Sequence, residues 1–318
     1  MRIRIVALAV VVVLGSVASV SAQFQEGGAE AALLGQAKTQ RWRGGVTVKA
    51  MGGPCRGIVA TIPVPVDWPE QSVVISDEDI TEQARVNQGK NVKAVPQMVV
   101  NIRSLPSGQE ARAILIYDVT RHAQKPPTNP EDYKIPEDKD VPRDLRIYLA
   151  PSLPHINCRD ERIRKLGDML GADAEYDWKK VEAIFEYVRG KIEFTKTGKM
   201  KGGIEALEDK KGNHEDMCFA FIAICRAAGI PARTVWVQNH CYPEFYLVNK
   251  EGKGIWFPCQ VAGPREFGGI SETRPIFQKG DFFRDPRDRR KSYPLLPETL
   301  NGSGGRPKVR FIRENVPG

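Results

Sequence analysis

His214 and Cys218 lie four residues apart at the start of a predicted helix, and both side chains could do chemistry. Asn213 is a good N-cap and Asp216 can complete a capping box with it, so the helix is predicted to begin at His214. A cysteine at a helix N-terminus can act as a nucleophile, because the unpaired N–H groups stabilise its thiolate. Cys218 lies about 6 Å further along the axis than His214, at about 1.5 Å per residue. Cysteines on apolar helices usually pack in the core, so both interpretations of Cys218 stay open.

The sequence around this helix resembles the core motif of the transglutaminase-like superfamily, which includes cysteine proteases, peptide N-glycanases and protein cross-linkers. The helix is apolar as far as Ala228 and is followed by a Gly-Ile-Pro-Ala-Arg turn at residues 229–233. A His-Cys-Tyr-Pro-Glu run at 240–244 and a Trp-Phe-Pro-Cys-Gln run at 256–260 match the two strands that follow in the family. The resemblance covers residues 150–263 and implies an α+β, papain-like transglutaminase core with a helix packed on an antiparallel sheet.

The resemblance implies roles for three positions. It places His214 where the family has its nucleophilic cysteine, His240 at the general base and Gln260 at the aspartate that orients the base. Gln260 can still accept a hydrogen bond from His240 through its amide oxygen. His214 is the larger departure, because an imidazole cannot easily replace a thiolate in forming a stable acyl intermediate.

Two functions follow from this pattern. The first is a catalytically degenerate relative that binds polypeptide in the old catalytic cleft, which the cysteine-to-histidine change favours. The second is an active cysteine-dependent protease or transglutaminase that acts on polypeptide amide bonds, with Cys218 as nucleophile, His240 as base and Gln260 as orienting residue. No cofactor is expected for either.

A zinc site is a third alternative. The resemblance implies that His214 and His240 face each other across the cleft, where Asp216, Glu215 or Cys218 could supply a further ligand. Two histidines with a carboxylate or thiolate suit Zn²⁺ with an open position. The first-turn carboxylates are also explained by their favourable interaction with the helix dipole, and a site without metal is the main expectation.

The elements that must position these residues are helices and a hairpin. Apolar periodicity predicts helices over residues 159–170 and 173–189. Strands are predicted over 234–248 and 254–261, joined by a turn at 249–252.

The family triad also implies a cysteine contact. If His240 faces Gln260 across antiparallel strands, Cys241 lies opposite Cys259, on the face away from the cleft. We therefore expect a Cys241–Cys259 disulfide. Cys218 and Cys225 are expected to stay reduced. The pairing of Cys55 and Cys158 is left unassigned.

The rest of the chain divides by composition. β-Branched runs broken by Gly and Pro indicate a small β-sandwich before the core, and a Pro-rich charged stretch indicates a linker. The predicted boundaries are a flexible arm over 23–45, the β-sandwich over 46–122, the linker over 123–150, the transglutaminase-like domain over 151–283 and a basic irregular tail over 284–318.

The N-terminus predicts export. Residues 1–22 have a basic start, an apolar stretch and small residues before Ala22, which is typical of a signal peptide cleaved near that residue. A secreted or periplasmic location is expected, with no other apolar run long enough to span a membrane. The net charge is +8. Export argues against a nucleic-acid partner, and the basic run at 284–291 is either a solvated surface or a contact with an anionic cell envelope.

Overall fold

The computed structural model describes residues 33–92, 95–196, 198–284 and 292–316. Within these ranges the chain forms two large antiparallel sheets and four α-helices. Residues 1–22 and most of the basic run at 284–291 lie outside the described ranges. No helix in the described part of the chain is long and apolar enough to cross a membrane.

The first sheet contains six strands in the order β2-β5-β1-β4-β3, and β15 pairs with β1 as well. Its strands are β1 (Leu34–Pro63), β2 (Gln71–Ile80), β3 (Ala84–Val92), β4 (Val95–Leu105), β5 (Glu110–Gln124) and β15 (Thr299–Val316). The first half of β1 pairs with β5 and its second half pairs with β4.

This sheet is curled around one core. Gly52 and Gly57 have φ angles of 67° and 58°, in the left-handed region that favours glycine. The pairing of β1 with β15 shifts register on either side of Cys55. One buried cluster contains residues of both halves, including Val48 and Val100. The expected β-sandwich is therefore a single continuous sheet curled on itself.

The second sheet has the order β11-β10-β9-β8-β12. Its strands are β8 (Ala232–Val237), β9 (His240–Val248), β10 (Gly254–Gln260), β11 (Glu266–Phe267) and β12 (Ile276–Lys279). The helices are α1 (Glu161–Met169), α2 (Asp177–Lys191), α3 (Gly203–Asp209) and α4 (His214–Ala227). Two short pairs complete the described elements: β6 (Glu193–Phe194) with β7 (Lys211–Gly212), and β13 (Phe283–Arg284) with β14 (Ser292–Tyr293). The α+β fold class is confirmed.

Helix α4 is the centre of this domain. Every residue from Asp216 to Arg226 is buried, so the helix has no solvent face after its first turn. Phe219, Phe221 and Ile222 are fully buried against the sheet and the other helices. Burying each such side chain stabilises the fold by roughly 2 kcal/mol. The N-terminus of α4 is therefore held at a fixed position relative to β9 and β10.

Three boundary predictions differ from the structure. The arm expected over 23–45 is part of β1 from Leu34 onward, and residues 299–316 of the expected irregular tail form β15. These two segments pair with each other, an arrangement that local sequence pattern does not reveal. The run at 234–248 is two strands, because Gln238 and Asn239 form a turn with Asn239 at φ 53°.

Buried polar contacts join the two sheets. Arg121 of β5 donates to the Tyr242 hydroxyl of β9 at 2.6 Å. Lys279 of β12 lies 2.6 Å from the carboxylate of Glu70, which precedes β2, and 2.8 Å from that of Glu244 in β9. The predicted linker residues are also packed, since Tyr133 contacts Phe257 at a ring separation of 4.9 Å.

Candidate active-site cleft

The N-terminus of α4 is built by a reciprocal cap. The Asn213 side chain accepts from the Asp216 backbone N–H at 2.9 Å, and the Asp216 carboxylate accepts from the Asn213 N–H at 3.2 Å. Asp216 also accepts from the backbone N–H groups of Lys201 and Gly202 at 2.7 and 3.0 Å. The predicted helix start at His214 is confirmed. Asp216 is buried. Its carboxylate accepts three backbone N–H groups and so joins the helix cap to the preceding loop.

His214 occupies the first position of this helix and reaches the cleft. Its Nε2 lies 3.3 Å from the Glu215 carboxylate, and its ring centroid lies 5.0 Å from that of His240. Burial raises the pKa of Glu215, but the hydrogen bond and charge of His214 outweigh burial and lower it overall. Glu215 is therefore an anion at neutral pH.

His240 is held by Gln260. Its Nε2 lies 3.0 Å from the Gln260 amide oxygen, which can only accept, so Nε2 carries a proton and Nδ1 is left as the acceptor in the neutral ring. Burial, and then the positive charge of His214, lower the pKa of His240 to about 4. Gln260 is itself fixed by Arg189 of α2, which donates to the Gln260 carbonyl at 2.9 Å. The predicted contact between His240 and Gln260 is present.

The strand register differs from the expected one. Pro258 lies opposite Glu244, whereas the expected pairing would put Trp256 there, a difference of two residues. The hairpin loop sets this register, because Asn249 accepts from Lys253 and closes the turn with Val248 opposite Gly254.

The prediction of a Cys241–Cys259 disulfide is therefore wrong. The register does not place the two residues opposite each other, and all six cysteines are free in the structure. The Sγ of Cys241 lies 3.6 Å from that of Cys218 instead.

Cys218 lies in the core beneath the histidines. Its side chain is fully buried, and its thiol donates to the Cys241 carbonyl at 3.5 Å. Burial raises the pKa of the Cys218 thiol. Cys218 does not line the cleft that contains His214 and His240. The structure thus brings together His214, His240 and Gln260 but leaves Cys218 apart from them.

For zinc, two of the three candidate further ligands are engaged elsewhere, and the third, Glu215, lies 3.3 Å from His214 Nε2. Asp216 is bonded to backbone N–H groups, and Cys218 faces Cys241. Among the described residues no group of three or more His, Cys, Asp or Glu side chains could hold a metal ion. His214 and His240 approach each other without a metal-ligating cluster around them.

The cleft has a volume of about 410 Å³ and both sheets contribute to it. Trp42 of β1 and Arg313 of β15 come from the first sheet, and Trp236 and Phe277 from the second. None of these four residues is predicted from the sequence to line a site. Trp42 falls in the expected flexible arm and Arg313 in the expected tail, so no local pattern connected them with His214.

Comparison with known proteins supports the recognised motif. Residues 164–261 match the profile of the Transglutaminase-like superfamily. No curated protein matches the chain. A solved structure of a "putative cysteine protease" from Cytophaga hutchinsonii has a TM-score of 0.57 and 17% identity, covering 89% of this chain and 92% of that one.

A "putative protease" from Parabacteroides distasonis, with a TM-score of 0.29 and 12% identity, covers 76% of this chain and 49% of that one. At these identities the Cytophaga hutchinsonii structure shows a shared fold. Residues 164–261, which contain α2, α4 and the hairpin of β9 and β10, form a transglutaminase-like domain.

Proposed function

We propose that this protein is an exported, catalytically degenerate transglutaminase-like protein that binds polypeptide in the cleft around His214 and His240. One observation carries the proposal. The helix position that the motif resemblance assigns to the nucleophile holds His214, which lies 5.0 Å ring to ring from His240, while the nearest cysteine on the helix is in the core.

The chemistry of the pair supports loss of thiol catalysis. A cysteine nucleophile is activated by forming an ion pair with a protonated histidine. His240 has a pKa of about 4, and its neighbour at the nucleophile position is a second imidazole. An imidazole at that position does not readily form a stable acyl intermediate with a peptide carbonyl.

The shape of the cleft supports binding. Its volume of about 410 Å³ falls in the range of ligand-binding clefts, which is about 300–1,000 Å³. Trp42, Trp236 and Phe277 supply apolar walls, and Glu215 supplies a fixed negative charge. Aromatic walls with a few polar groups suit a polypeptide segment, whose side chains need apolar contact and whose backbone needs hydrogen bonds.

The proposal is tested with a fluorescein-labelled mixture of random octapeptides. Anisotropy should rise and saturate with added protein, and the peptides should remain uncut. Gln238→Trp fills the cleft from the turn after β8 and should weaken binding by about tenfold, which is about 1.4 kcal/mol. Lys165→Trp puts the same side chain on the exposed face of α1 and should leave binding unchanged. Peptide cleavage by the wild type, or equal binding by both variants, would refute the proposal.

An active cysteine enzyme is the alternative. The 3.0 Å contact of His240 with Gln260 favours it, because this is the orienting half of a Cys-His-Gln triad. Such an enzyme needs the Cys218 thiol to leave its contact with Cys241 and reach the cleft. Octapeptide cleavage that is lost on Cys218→Ala would support this alternative over binding alone.

Export is part of the proposal and rests on residues 1–22. The mature chain should begin at Gln23 when the full chain is expressed in a Gram-negative host, and N-terminal sequencing of the periplasmic fraction tests this. Intact Met1 in a cytoplasmic fraction would contradict it. Contact of the basic run at 284–291 with an anionic envelope is a further expectation, tested by sedimentation with anionic vesicles at low and high salt.

A further inference from the structure

Cys218 and Cys241 have sulfur atoms in direct contact. Their Sγ atoms are 3.6 Å apart, and both side chains are fully buried between α4 and β9. We propose that these two thiols are oxidised to a disulfide that cross-links α4 to β9 when the protein folds in an oxidising compartment. The proposal shares only the export step with the proposed function.

The geometry needs little adjustment. A disulfide has a sulfur separation of about 2.0 Å, so the two Sγ atoms must approach by about 1.5 Å. The two sulfurs are already in contact, so the bond requires a local movement of these side chains. Cys55 donates to the Gly305 carbonyl and Cys158 to the Leu149 carbonyl. Cys218 likewise donates to the Cys241 carbonyl, in addition to its sulfur contact.

The oxidation requires a disulfide oxidant, either an exported thiol–disulfide oxidase or oxidised glutathione. One cysteine thiolate attacks the oxidant disulfide, forms a mixed disulfide and releases one oxidant thiol. The second thiolate then attacks the mixed disulfide, forms the Cys218–Cys241 bond and releases the second oxidant thiol. Two protons and two electrons leave the protein in total. The thiol–disulfide exchange with the oxidant must occur before the core packs around these residues, since both thiols are inaccessible in the folded core.

The two cysteines lie close in sequence to the two histidines. Cys218 is one helical turn beyond His214 on α4, and Cys241 follows His240 on β9. A covalent bond between these two positions would fix the distance between the elements that carry the histidines. It would also remove Cys218 from thiol chemistry.

Non-reducing peptide mapping tests the bond. After trypsin cleavage, Cys218 lies in the peptide 212–226, Cys241 in 234–250 and Cys259 in 254–265. Because 212–226 also contains Cys225, the map is repeated on Cys225→Ala, which removes that ambiguity. The protein is prepared in two ways, by export to a periplasm and by refolding from the reduced state in a glutathione redox buffer.

We expect a linked pair of 212–226 and 234–250 in both preparations, lost on reduction and retained in Cys225→Ala. The oxidised protein should unfold about 5–10 °C above the fully reduced protein. Alkylation of all six cysteines in denaturant without reductant would overturn the proposal, as would a link between 234–250 and 254–265. Neither result bears on octapeptide binding, so failure here is separable from failure of the proposed function.

Discussion

His240 contacts Gln260 through Nε2, and the ring of His214 lies 5.0 Å from the ring of His240, centroid to centroid. The neutral ring of His240 donates from Nε2 to the amide oxygen and leaves Nδ1 as its acceptor. His214 adds a positive charge near His240 whenever it is protonated, which disfavours a second proton.

Removing His214 should raise the pKa of His240. Burial is the largest cause of the value of about 4, and the His214 charge is the next. In His214→Ala the pKa should rise but stay below 6.5, because burial persists. An NMR titration of the His240 ring measures it, with His122→Ala on the other sheet as a control. An unchanged or lower pKa would contradict this view of the pair.

His240 should also make the fold acid-sensitive. Its folded pKa of about 4 lies below the unfolded value of about 6.5, so the unfolded chain binds more protons between these values and stability falls as pH falls through this window. The loss from pH 7.5 to 4.5 should be about 2 kcal/mol. Urea unfolding at both pH values should show a smaller loss for His240→Gln than for the wild type. An equal loss in both proteins would show that other groups set the acid sensitivity.

At the scale of elements, Asp216 supports α4 more than its cap partner does. It accepts three backbone N–H groups at a buried site, whereas Asn213 accepts one. Asp216→Ala should lower the free energy of unfolding by about 3 kcal/mol, and Asn213→Ala by about 1 kcal/mol. Urea unfolding measures both, with Glu208→Ala on the exposed surface as a control. A smaller loss for Asp216→Ala than for Asn213→Ala would contradict this ranking.

Local elements were predictable and their pairings were not. The cap at Asn213 and the apolar run of α4 depend on residues adjacent in sequence, so the helix start was predicted correctly. The register of β9 against β10 depends on how the loop after Val248 closes, and pattern alone placed it two residues away. Gln260 still reaches His240 because a side chain can contact a diagonal neighbour.

The glycine-rich end of the chain shows a second limit. Gly304 and Gly305 suggest flexibility in a sequence, but in the structure they let β15 approach β1 closely. A Cβ at Gly304 would lie 2.3 Å from the Pro54 carbonyl, and one at Gly305 would lie 2.3 Å from that of Gly53. The same composition therefore serves a strand pairing that joins the two ends of the described chain.

At the scale of the whole molecule, buried charges hold the two sheets together. Lys279 lies between Glu70 and Glu244, and Arg233 pairs with Glu244 at 2.9 Å. Burial raises the pKa of Glu244, but Lys279 and Arg233 outweigh it and lower the pKa overall. This junction joins the sheet that carries Trp42 and Arg313 to the sheet that carries Trp236, and both sheets line the cleft.

Breaking the junction should be costly. Lys279→Met leaves Glu70 buried without its partner and should lower the free energy of unfolding by about 3–5 kcal/mol. Adding Glu70→Gln should recover part of that loss, because the unpaired charge is removed. Urea unfolding measures both variants, and Lys165→Met on the surface is the matched control. Equal stability of the single and double variants would show that Glu70 is not the residue left uncompensated.

The most direct test of catalytic degeneracy is the rate of iodoacetamide labelling at pH 6 of protein that has been reduced in denaturant and refolded without oxidant, so that every cysteine is a thiol. If the site is degenerate, Cys218 of the wild type should show no measurable labelling. The variant His214→Cys should introduce a thiol that reacts about 100-fold faster than a free thiol, because a helix N-terminus and a neighbouring histidine stabilise its thiolate. That rate should fall when His240→Ala is added. Rapid labelling of Cys218 in the wild type, slowed by His240→Ala, would contradict catalytic degeneracy and indicate an active cysteine enzyme.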